Sequence, residues 1–232
     1  METDKLFLIV EDDKQIRSFI RFSLRTQNYR AVEAANGKEA LASIVADRPD
    51  ILILDLGLPD MDGLAIIKNV RAFSDMPIIV VSARDQDREK VEALDAGADD
   101  YLSKPFSING LLARIRVILR HCKSAAENPA PQRIYRIGEL EVDLEKHRVT
   151  LNGREIHFTP MEFSILSLMV KNSGKVLTHS YILKEVWGTY LESDAQSLRV
   201  FMANIRRKLE NDPARPRYIF TEVGIGYRFA NE

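Results

Sequence analysis

The sequence predicts an α/β chain in two parts: an open, doubly wound five-stranded parallel sheet, then a smaller α+β domain. Three observations carry this. Short apolar runs alternate with amphipathic segments over the first half; a small, polar, proline-bearing stretch interrupts the pattern near residue 122; and beyond it the period changes to short strands with tight turns. Strands apolar on both faces and separated by helical pattern are what a parallel sheet covered by helices requires.

In order, the apolar runs are Leu6–Val10, Ala31–Ala34, Ile51–Leu54, Ile78–Val81 and Tyr101–Leu102. Between the first two, Ile16, Phe19, Ile20 and Leu24 recur at helical spacing. Asn36 followed by Glu39 reads as a capping-box-like start for the next helix. A last helical pattern runs through Leu111, Leu112, Ile115, Val117 and Leu119. HCKSAAENPAPQ then has linker composition. The expected organisation is a domain over 1–121, a linker over 122–133 and a second domain over 134–232. In the second, Ile134–Ile137, Leu140–Leu144, Arg148–Leu151 and Glu155–Phe158 read as strands, with a hairpin turn at Asn152-Gly153. Helices are expected over Pro160–Asn172, Ser180–Trp187 and Ala195–Glu210, followed by a hairpin of Tyr218–Val223 and Tyr227–Phe229.

Composition narrows the function. With 45% hydrophobic and 29% charged residues the chain is ordinary for a globular protein. No run approaches the ~20 apolar residues of a membrane span, so no membrane association is expected. Cys122 is the one cysteine, which excludes an internal disulfide framework and fits a reducing compartment. The acidic N-terminus lacks the basic start of a signal peptide, so a cytoplasmic location is expected. Charge is divided unevenly: 17 basic against 20 acidic residues over 1–122, and 16 against 14 over 123–232.

In a doubly wound sheet the carboxyl ends of the strands converge on one crevice. Here those ends carry Glu11, Asp12 and Asp13, then Asp55, Ser82 and Lys104. Carboxylates this close repel one another unless a hard cation such as Mg2+ neutralises them. A carboxylate is also a nucleophile toward phosphorus, giving an aspartyl phosphate. The phosphoryl oxygens then need Mg2+, an ammonium and a hydroxyl, and Lys104 and Ser82 supply the last two. Taken singly, Asp55 reads as a turn residue, Lys104 as solvated surface and Ser82 as a helix cap. Only their coincidence at four strand ends is specific. An acid two residues after the nucleophile, which a hydrolytic phosphatase would use, is absent: that position is Gly57.

Laid out at ~100° per residue, helix 195–210 has Leu198, Met202, Ile205 and Leu209 on one stripe. Gln196, Val200, Ala203, Asn204 and Arg207 lie opposite, flanked by Arg199 and Arg206. Arginine pairs bidentately with guanine and asparagine with adenine, so such a face suits the major groove of double-stranded DNA. A solvated surface helix is the other reading of the same pattern.

LIVEDD, LDLGLPDMDG, VVSAR and DDYLSKPF resemble the signature segments of response-regulator receiver domains, over residues 5–121. FTPMEFSILSLMVKNSGKVLT, LKEVWG and TEVGIGYRF are similar to the winged-helix effector domain of the OmpR/PhoB family. Within that family, KLENDPARPRYIFTEVGIGYRF is similar to the potassium-transport branch. The resemblance implies a flavodoxin-like receiver joined to an α+β winged helix. It implies Asp55 as phosphoacceptor, Glu11 and Asp12 as Mg2+ ligands with the Gly57 carbonyl, and Ser82 and Lys104 on the phosphoryl group. Tyr101 becomes the switch aromatic, and the Lys104–Pro105 bond is expected to be cis. Helix 195–210 becomes the recognition helix and the last hairpin its wing, with Trp187, Thr221 and Tyr227 clamping DNA phosphates. Trp187 and Tyr227 read equally well as core packing.

A sensor histidine kinase, RNA polymerase and a second copy of the chain are the partners implied. Lys90, Asp100 and Arg114 match the family's dimer face, although the usual acidic partner of Lys90 is here Gly110. A wing arginine common in the wider family is here Val223. The function expected is a phosphorylation-dependent transcription regulator with at most slow self-dephosphorylation. The alternative is a phosphorylation-independent DNA binder with a vestigial receiver.

Overall fold

The computed structural model describes residues 5–83, 87–123, 134–188 and 192–231. The chain divides into two compact units, Met1–Ile115 and Arg116–Glu232. In the first, parallel strands β1 (Leu6–Val10), β2 (Arg30–Ala34), β3 (Ile51–Leu54), β4 (Ile78–Ser82) and β5 (Asp100–Ser103) lie in the order β2-β1-β3-β4-β5. Helices α1 (Lys14–Thr26), α2 (Gly37–Asp47), α3 (Gly63–Arg71), α4 (Asp87–Asp95) and α5 (Ile108–Lys123) follow them in turn. The order reverses at β1 and β3, and there the doubly wound fold opens its crevice.

The core is built from the expected runs. Phe7 to Val10, Ile51 to Leu54 and Ile78 to Val81 are all buried. Asp13 caps α1 by accepting from the N–H groups of Gln15 (2.7 Å) and Ile16 (3.1 Å). Asn36 and Glu39 cap α2 reciprocally, Asn36 Oδ1 accepting from Glu39 N and Glu39 Oε2 from Ala35 N. On α1, Ile20 and Leu24 are buried, whereas Phe19 and Phe22 stand 49% and 68% exposed. Phe19 therefore leaves the inward face expected of it. Helix α5 continues to Lys123, past the expected domain edge at 121. The rest of the expected linker, 124–133, lies outside the described residues.

The second unit opens on an antiparallel sheet of β6 (Ile134–Ile137), β7 (Leu140–Asp143), β8 (Arg148–Leu151) and β9 (Arg154–Ile156). Strand β9 stops at Ile156 because Thr159 is committed to a capping box with Glu162 at the start of α6 (Pro160–Lys171). Helices α7 (His179–Trp187) and α8 (Glu192–Leu209) pack on α6. The closing hairpin of β11 (Ile219–Glu222) and β12 (Gly226–Phe229) gains an unexpected third strand, β10 (Val176–Thr178), beside β12. Gly226 permits that pairing, since a Cβ there would overlap the Leu177 carbonyl. Glu210, at the end of α8, is buried and accepts from the N–H groups of Arg217 (2.7 Å), Tyr218 (2.9 Å) and Ile219 (2.9 Å). Among the described residues no helix is long and apolar enough to cross a membrane.

Candidate functional site

The crevice brings the expected residues together. Glu11 follows β1 and Asp55 follows β3, and both are buried. Lys104 Nζ lies between them, 2.7 Å from Glu11 Oε2 and 2.6 Å from Asp55 Oδ2. Burial raises the Glu11 pKa above the usual carboxylate range; Lys104 pulls it down and the neighbouring Asp55 pushes it up. Burial works to lower the Lys104 pKa, but its bonds to Asp55 and Glu11 outweigh that and raise it. The ammonium therefore stays charged. Asp12 is exposed at the rim.

Oxygens of Glu11, Asp12 and Asp55 all lie within 4.8 Å of one another. Opposite ligands of an octahedral Mg2+, at ~2.0–2.1 Å from the ion, stand about 4.2 Å apart. All three donors are hard oxygens, so the set fits that ion. Asp13 is not among them; its carboxylate is spent on the α1 cap.

The supports of the crevice are less visible in the sequence. Arg17 Nη1 donates to the carbonyls of Glu11 (2.5 Å) and Asp12 (3.2 Å), holding the loop that carries both acids. Gly57 N donates to Asp55 Oδ1 at 3.1 Å. Gly63 lies so close to the backbone of Asp55 and Leu56 that a Cβ would sit 2.7 Å from Leu56 Cα. The glycine of the LPDMDG segment signals this close approach. Ser82 is buried at the end of β4, and its carbonyl accepts from Lys104 N at 2.8 Å. The Lys104–Pro105 bond is cis, as expected. Tyr101 is buried on β5.

Asp100 and Arg114 pair within the chain, Arg114 Nη1 lying 2.7 Å from each Asp100 oxygen. Tyr101 N also donates to Asp100, at 2.7 Å. Lys90 is half-buried on α4, and Gly110 lies in the first turn of α5.

On α8 the outward face differs from the one the apolar stripe suggests. Arg199, Ala203 and Arg207 are exposed, and Gln196 and Arg206 are half-buried. Val200 and Asn204 are buried, at 8% and 7% exposure, so their expected outward position is corrected. The helix is packed on two sides: Phe201 is fully buried and its ring lies 5.9 Å from that of Trp187. The buried arc, from Val200 round through Leu198 to Met202, covers about 200° at ~100° per residue. That leaves ~160° for a groove. Asn204 Oδ1 accepts from Arg207 Nη2, so it orients an exposed arginine.

Arg206 donates to the Ile219 carbonyl and to Thr221 Oγ1 on β11, and lies 5.7 Å from the Tyr227 ring centre. Thr221 is exposed. Tyr227 is buried, edge-on to His179 at 5.4 Å, and burial raises its hydroxyl pKa. Trp187 is buried too, and its Nε1–H meets no acceptor among the described residues. Both aromatics thus pack in the core, and the Trp187 Nε1–H is itself buried. At the hairpin tip Val223 and Ile225 are 90% and 53% exposed.

Residues 7–116 match the family model of the response regulator receiver domain, and residues 153–229 that of the C terminal of transcriptional regulatory proteins. The chain is 46% identical over 222 residues to the KDP operon transcriptional regulatory protein KdpE of Escherichia coli K12, covering 96% of this chain and 97% of that one. It is 42% identical to the transcriptional regulatory protein KdpE of Mycobacterium tuberculosis, covering 97% and 98%. Among solved structures, the response regulator DrrB of Thermotoga maritima, an OmpR/PhoB homolog, aligns over 97% of this chain and 99% of that one, with 30% identity and a TM-score of 0.53. A mutant of RitR aligns over 97% and 98% with 26% identity and a TM-score of 0.76.

Proposed function

This chain belongs to the OmpR/PhoB family of response regulators, and from that premise we propose how its two sites make a phosphorylation switch on transcription. It is a two-component response regulator that controls transcription, with a sensor histidine kinase as phosphoryl source and DNA as target. The observation that carries the mechanism is the Lys104 ammonium held at 2.6 Å from Asp55.

In the proposed step an Asp55 carboxylate oxygen attacks the phosphorus of the kinase's phosphohistidine. The O–P bond forms, the P–N bond breaks, and the imidazole leaves with the electron pair. Lys104 and Ser82 take the phosphoryl oxygens. Mg2+, when bound, supplies charge neutralisation, and Glu11, Asp12, Asp55 and the Gly57 carbonyl would hold it. Water attack on the aspartyl phosphate returns the resting state slowly, because no side chain stands ready as a general base at Gly57. Tyr101 on β5 is the proposed switch side chain. The face that carries Lys90, Asp100 and Arg114 is the proposed contact of an activated homodimer.

The receiver is assigned to 1–121, the linker to 122–133 and the DNA-binding domain to 134–232. On DNA, Arg199, Arg207 and Gln196 face the major groove, and Trp187, Thr221 and Tyr227 meet phosphates. Two domains brought together by a receiver dimer would occupy neighbouring half-sites and gain effective concentration. The names of the KdpE relatives support a potassium-uptake operon as target, with RNA polymerase as the machinery recruited in the cytoplasm. The test is labelling with acetyl phosphate and Mg2+. The unsubstituted chain takes up one phosphoryl group and binds its operator more tightly, and Asp55→Asn does neither. Labelling of Asp55→Asn would refute the assignment, and operator affinity indifferent to labelling would favour a vestigial receiver.

A further inference from the structure

The loop joining β3 to α3 carries both Asp55 and Gly57. Its base is set by the close approach of Gly63 to the backbone of Asp55 and Leu56. Its tip is held by a different element. Asp60 reaches α2, where Oδ1 accepts from Gly37 N at 2.8 Å and Oδ2 from Lys38 N at 3.0 Å. These are among the first N–H groups of α2, which have no acceptor within the helix. Asn36 accepts from Glu39 N and Glu39 from Ala35 N, so these caps do not require Asp60.

A second fit lies beside the first. Met61 runs across Gly37, and a Cβ at residue 37 would overlap its Cγ and Sδ. Gly37 is buried, and only a hydrogen there leaves the methionine in place. One residue of the loop is thus bound through its carboxylate and the next through its side-chain volume. Bonds from Gly37 and Lys38 also hold the Asp60 pKa below the usual carboxylate range, as two backbone N–H donors to a carboxylate should.

We propose that Asp60 and Gly37 form a latch that fixes the tip of the β3–α3 loop on α2, so that Gly57 presents its carbonyl to the acidic crevice. Asp60 is then a positioning residue for Mg2+ binding, and through it for phosphorylation. This rests on the reading of the crevice as an Mg2+ site. Neither residue touches the crevice acids; both act through the loop.

The experiment is an Mg2+ titration of the full chain, followed by the amide resonances of Asp55 and Gly57, with thermal unfolding measured alongside. Asp60→Ala and Gly37→Ala should each raise the Mg2+ Kd by about five- to tenfold, roughly 1–1.4 kcal/mol. Asp60→Asn, which keeps one acceptor oxygen, should fall between. Acetyl phosphate labelling should recover at saturating Mg2+. Asn36→Ala supplies the contrast: it weakens the α2 cap but leaves the latch, so Tm falls while the Mg2+ Kd stays. Wild-type Kd in Asp60→Ala and Gly37→Ala would overturn the latch. So would an equal loss in Asn36→Ala, which would reduce Asp60 to a stabiliser of α2. If the unsubstituted chain bound no Mg2+, the crevice reading itself would fall and the latch with it.

Discussion

Arg206 on α8 donates to Thr221 Oγ1 on β11 at 2.7 Å, and to the Ile219 carbonyl at 2.9 and 3.1 Å. Most of the guanidinium is therefore engaged within the protein, tying α8, the proposed recognition helix, to β11. An ammonium cannot reproduce that planar fork. Arg206→Lys keeps the charge and loses the brace, and operator affinity should fall about tenfold, roughly 1.4 kcal/mol. The dependence of log K on log salt should be unchanged, since no cation has been removed. Fluorescence anisotropy at several salt concentrations checks both, and undiminished affinity would dismiss the brace.

Asn204 and Arg207 should behave as one unit. The buried amide orients the exposed guanidinium, so each residue's contribution to DNA binding passes through the other. Asn204→Ala and Arg207→Ala should each weaken operator binding, and the double variant should lose clearly less than the sum. Coupling of about 0.5–3 kcal/mol is the range for such partners. A double-mutant cycle on one operator measures it; strict additivity would leave Asn204 as an independent contact.

A kinase that delivers its phosphohistidine to Asp55 must touch the surface around the crevice. Helix α1 begins beside it at Lys14 and carries the exposed Phe19 and Phe22. Phe22→Glu should slow phosphotransfer from the kinase about tenfold, an effect of ~1.4 kcal/mol. Labelling by acetyl phosphate, which needs no docking surface, should proceed as before. Equal rates from the kinase would remove α1 from the docking face.

His147 gives the second domain a pH dependence of definite sign. Partial desolvation against its neighbours lowers its pKa, and Lys171 lowers it further, although the residue keeps an exposed edge that weakens both effects. Its ring lies tilted by 30° against that of Phe163, with the centroids 4.4 Å apart. The unfolded chain therefore takes up a proton near the ordinary histidine value of ~6.5, while the folded chain remains neutral until a lower pH. Stability is fully present above that value and is lost as pH falls through the window below it. His147→Asn should flatten the slope, since asparagine tolerates the positive φ of 50° at this position. Urea unfolding between pH 5 and pH 7, roughly the range around the free histidine value, tests this. An unchanged slope would assign the effect elsewhere.

The first unit was readable from the chain because a parallel sheet buried on both faces writes its central strands as continuous apolar runs, and four of the five strands end where a proposed site residue stands. Leu52, Ile53 and Leu54 run directly into Asp55. The supports of that site left fainter traces. Asp60 bonds to backbone N–H groups 23 and 22 positions away, and backbone partners have no signature in side-chain pattern. On α8 the stripe of Leu198, Met202, Ile205 and Leu209 located the buried side but not its width. Val200 is small and Asn204 polar, and nothing in either announces that a second packing surface covers it. Strand β10 was missed for a related reason: it is three residues long, with only Leu177 buried.

Glu210 ties the end of α8 to the start of β11 through three N–H bonds, and so the segment 211–216 is a loop whose two mouths are already stapled together. Lengthening a loop closed at its base costs little, about 0.6 kcal/mol per doubling. That segment is a natural port for an inserted tag or fluorophore: one placed there would ride on α8 and the closing hairpin as a single body, and should report operator binding without disturbing the face proposed to read it.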